Sequence, residues 1–396
     1  MPDASNGTPD GLLAGTTVLG LGGLGPSARA MRILADYGAS VWMVDRVASS
    51  DPGAWEVPFY AYGGGRWWRR AELDLRDPDG RDAFLVACGR ADVVIDGFRP
   101  GVADRLGVGA GAAREHNPGL IWCSASGFGA DGPYASWAGH DINFCGLSGF
   151  TALSQRRADG APPLTGASIA DAAGGGMHAA IAVLAALVDR GRTGSGAVLD
   201  CSATEGMVAI MALAIDEHLA AGDEPGHPGG GLLSGEFACY DHYEASDGGW
   251  IALGAIEPRF FRNLCEATGL DHLVADQYEP AAQPVIRAEL AALFLRSTRD
   301  EWVATLGPLD TCVTPVLDPG EVVSDAHLAH RSVTMVVDHE IHGRHRQVGP
   351  VLGGTRVAEG PLAVPDRSRS ETGELLQACG MDPAAVDRLA TRGVIG

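Results

Sequence analysis

A glycine loop set between an apolar run and an amphipathic one does most to limit what this chain can become. Thr16 to Leu21 reads as a buried strand and Gly20 to Pro26 as a tight glycine loop. Ser27 to Tyr37 then places Ala28, Met31, Leu34 and Ala35 on one helical face, with Gly38 as the stop. Ser40 to Val44 is a second strand, ending at Asp45-Arg46. This order predicts an α/β fold with a parallel, doubly wound, Rossmann-like sheet. Ala91 to Asp96 and Ile121 to Ser126 read as further buried strands.

The loop itself, Gly20-Leu21-Gly22-Gly23-Leu24-Gly25, fits G-x-G-x-x-G, with Asp45 about twenty residues beyond. That keeps a nicotinamide-dependent dehydrogenase open as a reading. Against it, Pro26 removes one N–H donor at the helix start, and Arg46 sets a cation beside the presumed ribose carboxylate.

Arginine recurs where a ligand would gather. Gly63 to Arg70, Gly-Gly-Gly-Arg-Trp-Trp-Arg-Arg, is expected to be flexible, and its arginine forks and indole faces suit phosphate and adenine recognition. An exposed loop pinned by its tryptophans accounts for the same residues. Arg99 and Arg105 follow the strand ending at Asp96, at the carboxyl edge where open α/β sheets bind ligands. All 29 basic residues are arginine, so no lysine-dependent phosphate loop or Schiff base can form. A net charge of −21 argues against nucleic-acid or anionic-membrane partners.

Cysteines 88, 123, 145, 201, 239, 265, 312 and 379 form no CxxC pair, as expected of thiols in a reducing cytoplasm. The polar, acidic start lacks the features of a signal peptide. The longest apolar run, Met177 to Val188, is too short to span a bilayer. His339, His342 and His345, three apart in an expected hairpin, should not share a face. Residues 12–215 read as a large α/β domain, after a flexible lead-in at 1–14. Residues 216–235 read as a linker, 236–331 as a smaller α+β domain, and 332–396 as a segment returning to the large domain.

Two groups carry candidate chemistry. His140 lies in Gly139-His140-Asp141-Ile142-Asn143, and Asp171 precedes Gly174-Gly175-Gly176 at the start of a long apolar helix. An imidazole and a carboxylate can exchange protons near neutral pH when their surroundings tune them. The glycines are expected to let a ligand approach the backbone, and Asp171 also suits a helix N-cap.

Several stretches together resemble the class III CoA-transferase superfamily: Leu34-Ala35-Asp36-Tyr37-Gly38-Ala39, Phe98-Arg99-Pro100-Gly101, Ser126-Gly127-Phe128-Gly129 with Gly132-Pro133-Tyr134, and Gly139-His140-Asp141. Within it, Gly139 to Asn143, Ala170-Asp171 and Gly254-Ala255-Ile256-Glu257-Pro258 resemble the α-methylacyl-CoA racemases. The resemblance implies an acyl-CoA substrate and an interlocked homodimer. His140 and Asp171 would be the proton-exchanging pair, with Glu257 near His140. CoA would be held by Arg46, Arg66, Arg69, Arg70, Arg99, Arg105 and Asp141. No cofactor beyond the substrate's own CoA is expected. The reaction implied is 1,1-proton transfer through an enolate. Alternatives are a CoA-transferase with Asp171 as nucleophile, the dehydrogenase above, and a silent acyl-CoA-binding relative.

Overall fold

The computed structural model describes residues 10–47, 58–221, 229–357 and 360–396. Most of the expected lead-in, and residues 222–228 of the expected linker, lie outside them. The chain divides into two compact units. One contains residues up to Ser148, Thr165–Ala212 and Arg331–Gly396, and the other contains Gly149–Leu164 and Leu213–His330. Residues 149–164, expected in the large domain, belong to the second unit. Residues 212–221, partly assigned to the linker, are helical.

The first unit is built on six strands: β1 Thr17–Leu21, β2 Ser40–Asp45, β3 Trp68–Glu72, β4 Val93–Asp96, β5 Ile121–Ser126 and β6 Val198–Ser202. They pair in parallel in the order β3-β2-β1-β4-β5-β6. Alternate side chains enter two separate cores, as a sheet covered on both faces requires. Leu19, Leu21, Trp42, Val44, Leu73 and Trp122 pack with the helix Pro78–Cys88 and with Leu375, Leu376 and Leu389 near the chain's end. Val18, Val41, Met43, Ile95 and Cys123 pack on the other face against the helices Gly25–Asp36 and His178–Thr193. The glycines of the first loop serve this packing. Gly20 leaves room for the Met31 thioether, and Gly22, at φ +79°, abuts the backbone of Gly97.

Trp68–Glu72, expected in part to be a flexible arginine loop, is the edge strand beside β2. Three glycines ahead of it hid the strand. Near the chain's end β10 Thr334–His339, β11 Gly343–Val348 and β12 Leu362–Val364 form a second sheet. The histidine expectation fails here. Antiparallel pairing sets Val337 opposite His345 and His339 opposite Gly343, which brings His345 onto the face of His339. The three rings gather on Phe59, with His342 stacked at 3.9 Å and His339 and His345 in edge contact at 6.0 and 5.3 Å. No group of three or more potential metal ligands occurs among the described residues.

In the second unit β7 Tyr240–Glu244, β8 Trp250–Gly254 and β9 Val313–Val316 form an antiparallel sheet. Helices Pro258–Thr268 and Gln283–Phe294 close its core with Phe261, Leu264, Leu290 and Phe294.

The helical stretch Ala170–Thr193, at 24 residues, is long and apolar enough to cross a bilayer by length and composition. It exceeds the apolar run counted from sequence because residues 170–176 ahead of Met177 and 189–193 after Val188 join it. Its inner side packs on the first helix and on β5 and β6, and its outer side exposes Ile181 and Val188 at 66% and 71%.

Candidate active site

His140 occupies the N-cap position of the helix Asp141–Leu147, and Asn143 Oδ1 accepts its backbone N–H at 3.0 Å. Aromatic packing fixes this turn. A Cβ on Gly139 would lie 2.8 Å from both the Phe128 and Phe144 rings, which meet edge-on at 5.0 Å. Phe144 is buried beneath, while His140 is exposed.

Asp171 is the second residue of a π-helical segment, Ala170–Met177, that runs on into His178–Thr193. The N-cap expectation is therefore corrected: Asp171 lies inside the helical stretch, with Ile169 ahead of it. Wide turns of this kind recur at functional sites. The following glycines seat helices instead of a ligand. A Cβ at Gly174 would come within 2.6 Å of the Ala203 carbonyl oxygen, one at Gly175 within 2.5 Å of Pro26, and one at Gly176 within 2.3 Å of the Arg29 Cβ. A Cβ at Gly206, in the helix Ala203–Ile210, would lie 1.8 Å from the Gly174 oxygen. Gly206→Ala is therefore expected to lower stability by about 1–3 kcal/mol in urea titration. An unchanged midpoint would mean that this contact yields easily.

One hydrogen bond joins the two stretches. Asp141 Oδ1 accepts the Asp171 N–H at 2.8 Å, and its other oxygen lies 3.6 Å from the Cys145 thiol. Asp141, expected to touch CoA, is thus engaged within the protein. The same bond takes the Asp171 N–H. Burial raises the Asp171 carboxyl above its ordinary value, and the charge of Asp141 adds to this. The charges of Arg29 and His140 act in the opposite direction. His140 and Asp171 therefore lie within electrostatic reach of one another.

The start of the first helix faces the same carboxylate. A Cβ on Gly25 would lie 3.6 Å from Asp171 Oδ1, and the Gly25 N–H donates to the Tyr62 hydroxyl at 3.0 Å. That engages a donor which a pyrophosphate in the glycine loop would use. Ser27 Oγ donates to the Gly22 and Leu24 carbonyls at 2.7 and 2.9 Å, closing the loop on itself. Sequence reasoning missed Tyr62 and Arg29. Arg29 is the fifth residue of the helix Gly25–Asp36, past the first turn where charge preferences act, so the sequence carried no signal for it.

The arginines separate into three groups. Arg46, Arg99 and Arg105 are exposed at the carboxyl ends of β2 and β4, and Arg105 Nη1 would lie 3.2 Å from a Cβ on Gly101. Arg69 pairs with Glu371 and Glu374 while lying 3.9 Å over Trp42, and Arg70 pairs with Asp45, the carboxylate expected at a ribose. Both line an open cleft with Gly64, Gly65, Arg367 and Arg369. Arg66 is corrected: it is fully buried and forked onto Asp36 at 2.8 and 2.9 Å, so it is closed to a phosphate. Burial lowers its guanidinium to about 10. Glu257 belongs to the second unit, exposed just ahead of the helix Pro258–Thr268.

A model of CoA-transferase family III matches residues 13–366. The chain is 36% identical over 323 residues to the human alpha-methylacyl-CoA racemase, covering 81% of each chain. It is 30% identical over 325 residues to the succinyl-CoA–D-citramalate CoA-transferase of Chloroflexus aurantiacus, covering 78% of this chain and 80% of that one. A CaiB/BaiF family protein from Brucella suis has a similar solved structure. Its TM-score is 0.69 at 25% identity, covering 89% of this chain and 97% of that one.

Proposed function

The chain belongs to CoA-transferase family III, and from that premise we propose that it racemises or epimerises 2-methylacyl-CoA thioesters. The observation that carries this reading is the Asp141–Asp171 hydrogen bond, which ties the His140 turn to the second candidate acid–base group. A thioester acidifies its α-carbon, and inversion there needs a base on one side and an acid on the other. In this reading Asp171 and His140 take those roles and exchange them for the opposite enantiomer. The enolate forms between them. This chemistry asks for no cofactor beyond the substrate's own CoA.

Arg46, Arg99 and Arg105 are assigned to the CoA phosphates, with Arg69 and Arg70 on the cleft as further contacts once their carboxylate partners give way. Arg99→Ala is expected to weaken CoA binding by about 1–3 kcal/mol, measured by calorimetry. An unchanged dissociation constant would remove Arg99 from the phosphate site. We also assign a homodimer in a cytoplasmic setting. Exposed Ile181 and Val188 are apolar surface of the kind a second copy would cover.

The second reading, CoA transfer with Asp171 as nucleophile, is supported by the resemblance to named CoA-transferases. Incubating the protein with a 2-methylacyl-CoA in heavy water, without an acceptor acid, separates the two. Deuterium entering the α-position supports the racemase. Its absence, together with CoA exchange that depends on an added acid, supports the transferase.

A further inference from the structure

Arg29 approaches Asp171 without pairing directly to it, and its position is fixed from two sides. Its Nη2 donates to Ser168 Oγ at 3.0 Å, three residues before Asp171. Its guanidinium lies 5.0 Å from the centre of the Tyr62 ring. Tyr62 is in turn anchored twice: its hydroxyl accepts the Gly25 N–H, and its carbonyl oxygen accepts from Arg32 Nη1 at 2.6 Å. The missing Cβ of Gly176 lets the stem of Arg29 lie against the π-helical segment. Arg29 Nε is buried with no hydrogen-bond partner. Arg29 is half-buried, so water screens its charge only in part.

We propose that Arg29 is a positioning residue: clamped between Tyr62 and Ser168, it is the fixed counter-charge that decides how a proton is shared between Asp171 and His140. The inference rests on the reading of those two residues as the proton-exchanging pair. The charges that act on Asp171 are those of Asp141 and His140, from the turn and helix at 140–147, and of Arg29 from the first helix. Cys145, also on that turn's helix, feels Asp171 in return. The other elements packed on this segment carry His178, Glu205, Asp200, and Cys123 with Cys201, whose sulfurs lie 3.8 Å apart. Asp141 and burial both favour the neutral carboxyl, so a cation held across from them keeps Asp171 a usable base. Because Arg29 bonds to Ser168 and not to the carboxylate, it leaves both Asp171 oxygens free to meet a substrate proton.

The test reads the carboxyl directly. In substrate-free protein carrying ¹³C-carboxyl aspartate, the infrared band lost in Asp171→Asn belongs to Asp171, and its pH midpoint is followed in each variant. Arg29→Met is expected to raise that midpoint by about one pH unit, and Arg29→Lys to restore most of it. The acidic limb of the α-deuterium exchange profile is expected to move with it. A midpoint in Arg29→Met equal to that of the natural chain overturns the proposal, as does a lysine variant no better than the methionine one. Should Arg29→Met not fold, Arg29→Gln removes the same charge and decides in the same way. If the natural chain exchanges no α-hydrogen, the racemase reading falls, while the infrared comparison still decides whether Arg29 governs Asp171.

Discussion

Replacing Asp171 by Asn is expected to reduce α-hydrogen exchange by roughly 10²–10⁴-fold, the usual contribution of a placed acid–base group. The substitution keeps the backbone N–H that Asp141 accepts, so the His140 turn stays latched. CoA affinity, measured by calorimetry, should hardly change, because the phosphate arginines are elsewhere. His140→Ala should cause a comparable loss of exchange. The two variants together also separate the rival reactions. Both need Asp171, one as base and one as nucleophile, whereas a transferase has no step for the imidazole. CoA transfer that survives His140→Ala, without α-exchange in the natural chain, would end the racemase assignment.

The largest effect on stability should come from Asp36→Ala. Asp36 receives the fork of Arg66, which has no exposed surface, and also Arg32 Nε at 3.0 Å. Arg66 also donates to the Val348 carbonyl and lies 5.3 Å from the Trp67 ring, so it cannot turn outward to water. Removing the carboxylate strands a buried cation, at a cost of about 3–5 kcal/mol. Guanidinium titration should show this as a lower midpoint. A loss below about 1 kcal/mol would mean that the cavity relaxes or admits water. Replacing both partners, as Arg66→Met with Asp36→Leu, should recover much of the loss, since apolar residues need no partner.

These same residues mark how far the sequence could be read. β5 runs from Ile121 to Ser126 as expected, and the strand–loop–helix–strand opening is present, because local periodicity and turn chemistry govern both. Arg66 and Arg99 are the same residue type in similar glycine-rich surroundings, yet one is buried and the other exposed. That difference depends on Asp36, thirty positions away, which no local pattern reports. Gly174 to Gly176 misled for a related reason. A glycine that admits a ligand and one that admits a neighbouring helix look identical along the chain. The histidines of the hairpin failed on register, since spacing within a strand says nothing about which residue stands opposite. His140 and Asp171 were legible as types, but their latch through Asp141 is a tertiary contact.

The way the first unit is closed has a consequence for how the polypeptide is made. Leu375, Leu376, Val386, Leu389, Val394 and Ile395 cover the same face of the sheet as Leu19 and Trp42. Thr372 Oγ1 also takes the β3 edge N–H of Glu72 at 2.7 Å. During synthesis, the share of that flank which these residues cover therefore stays open until they emerge, long after the helix Pro78–Cys88 has covered its own share. A ribosome stalled shortly before residue 372 would hold a sheet with this face only partly covered, a natural client for a chaperone.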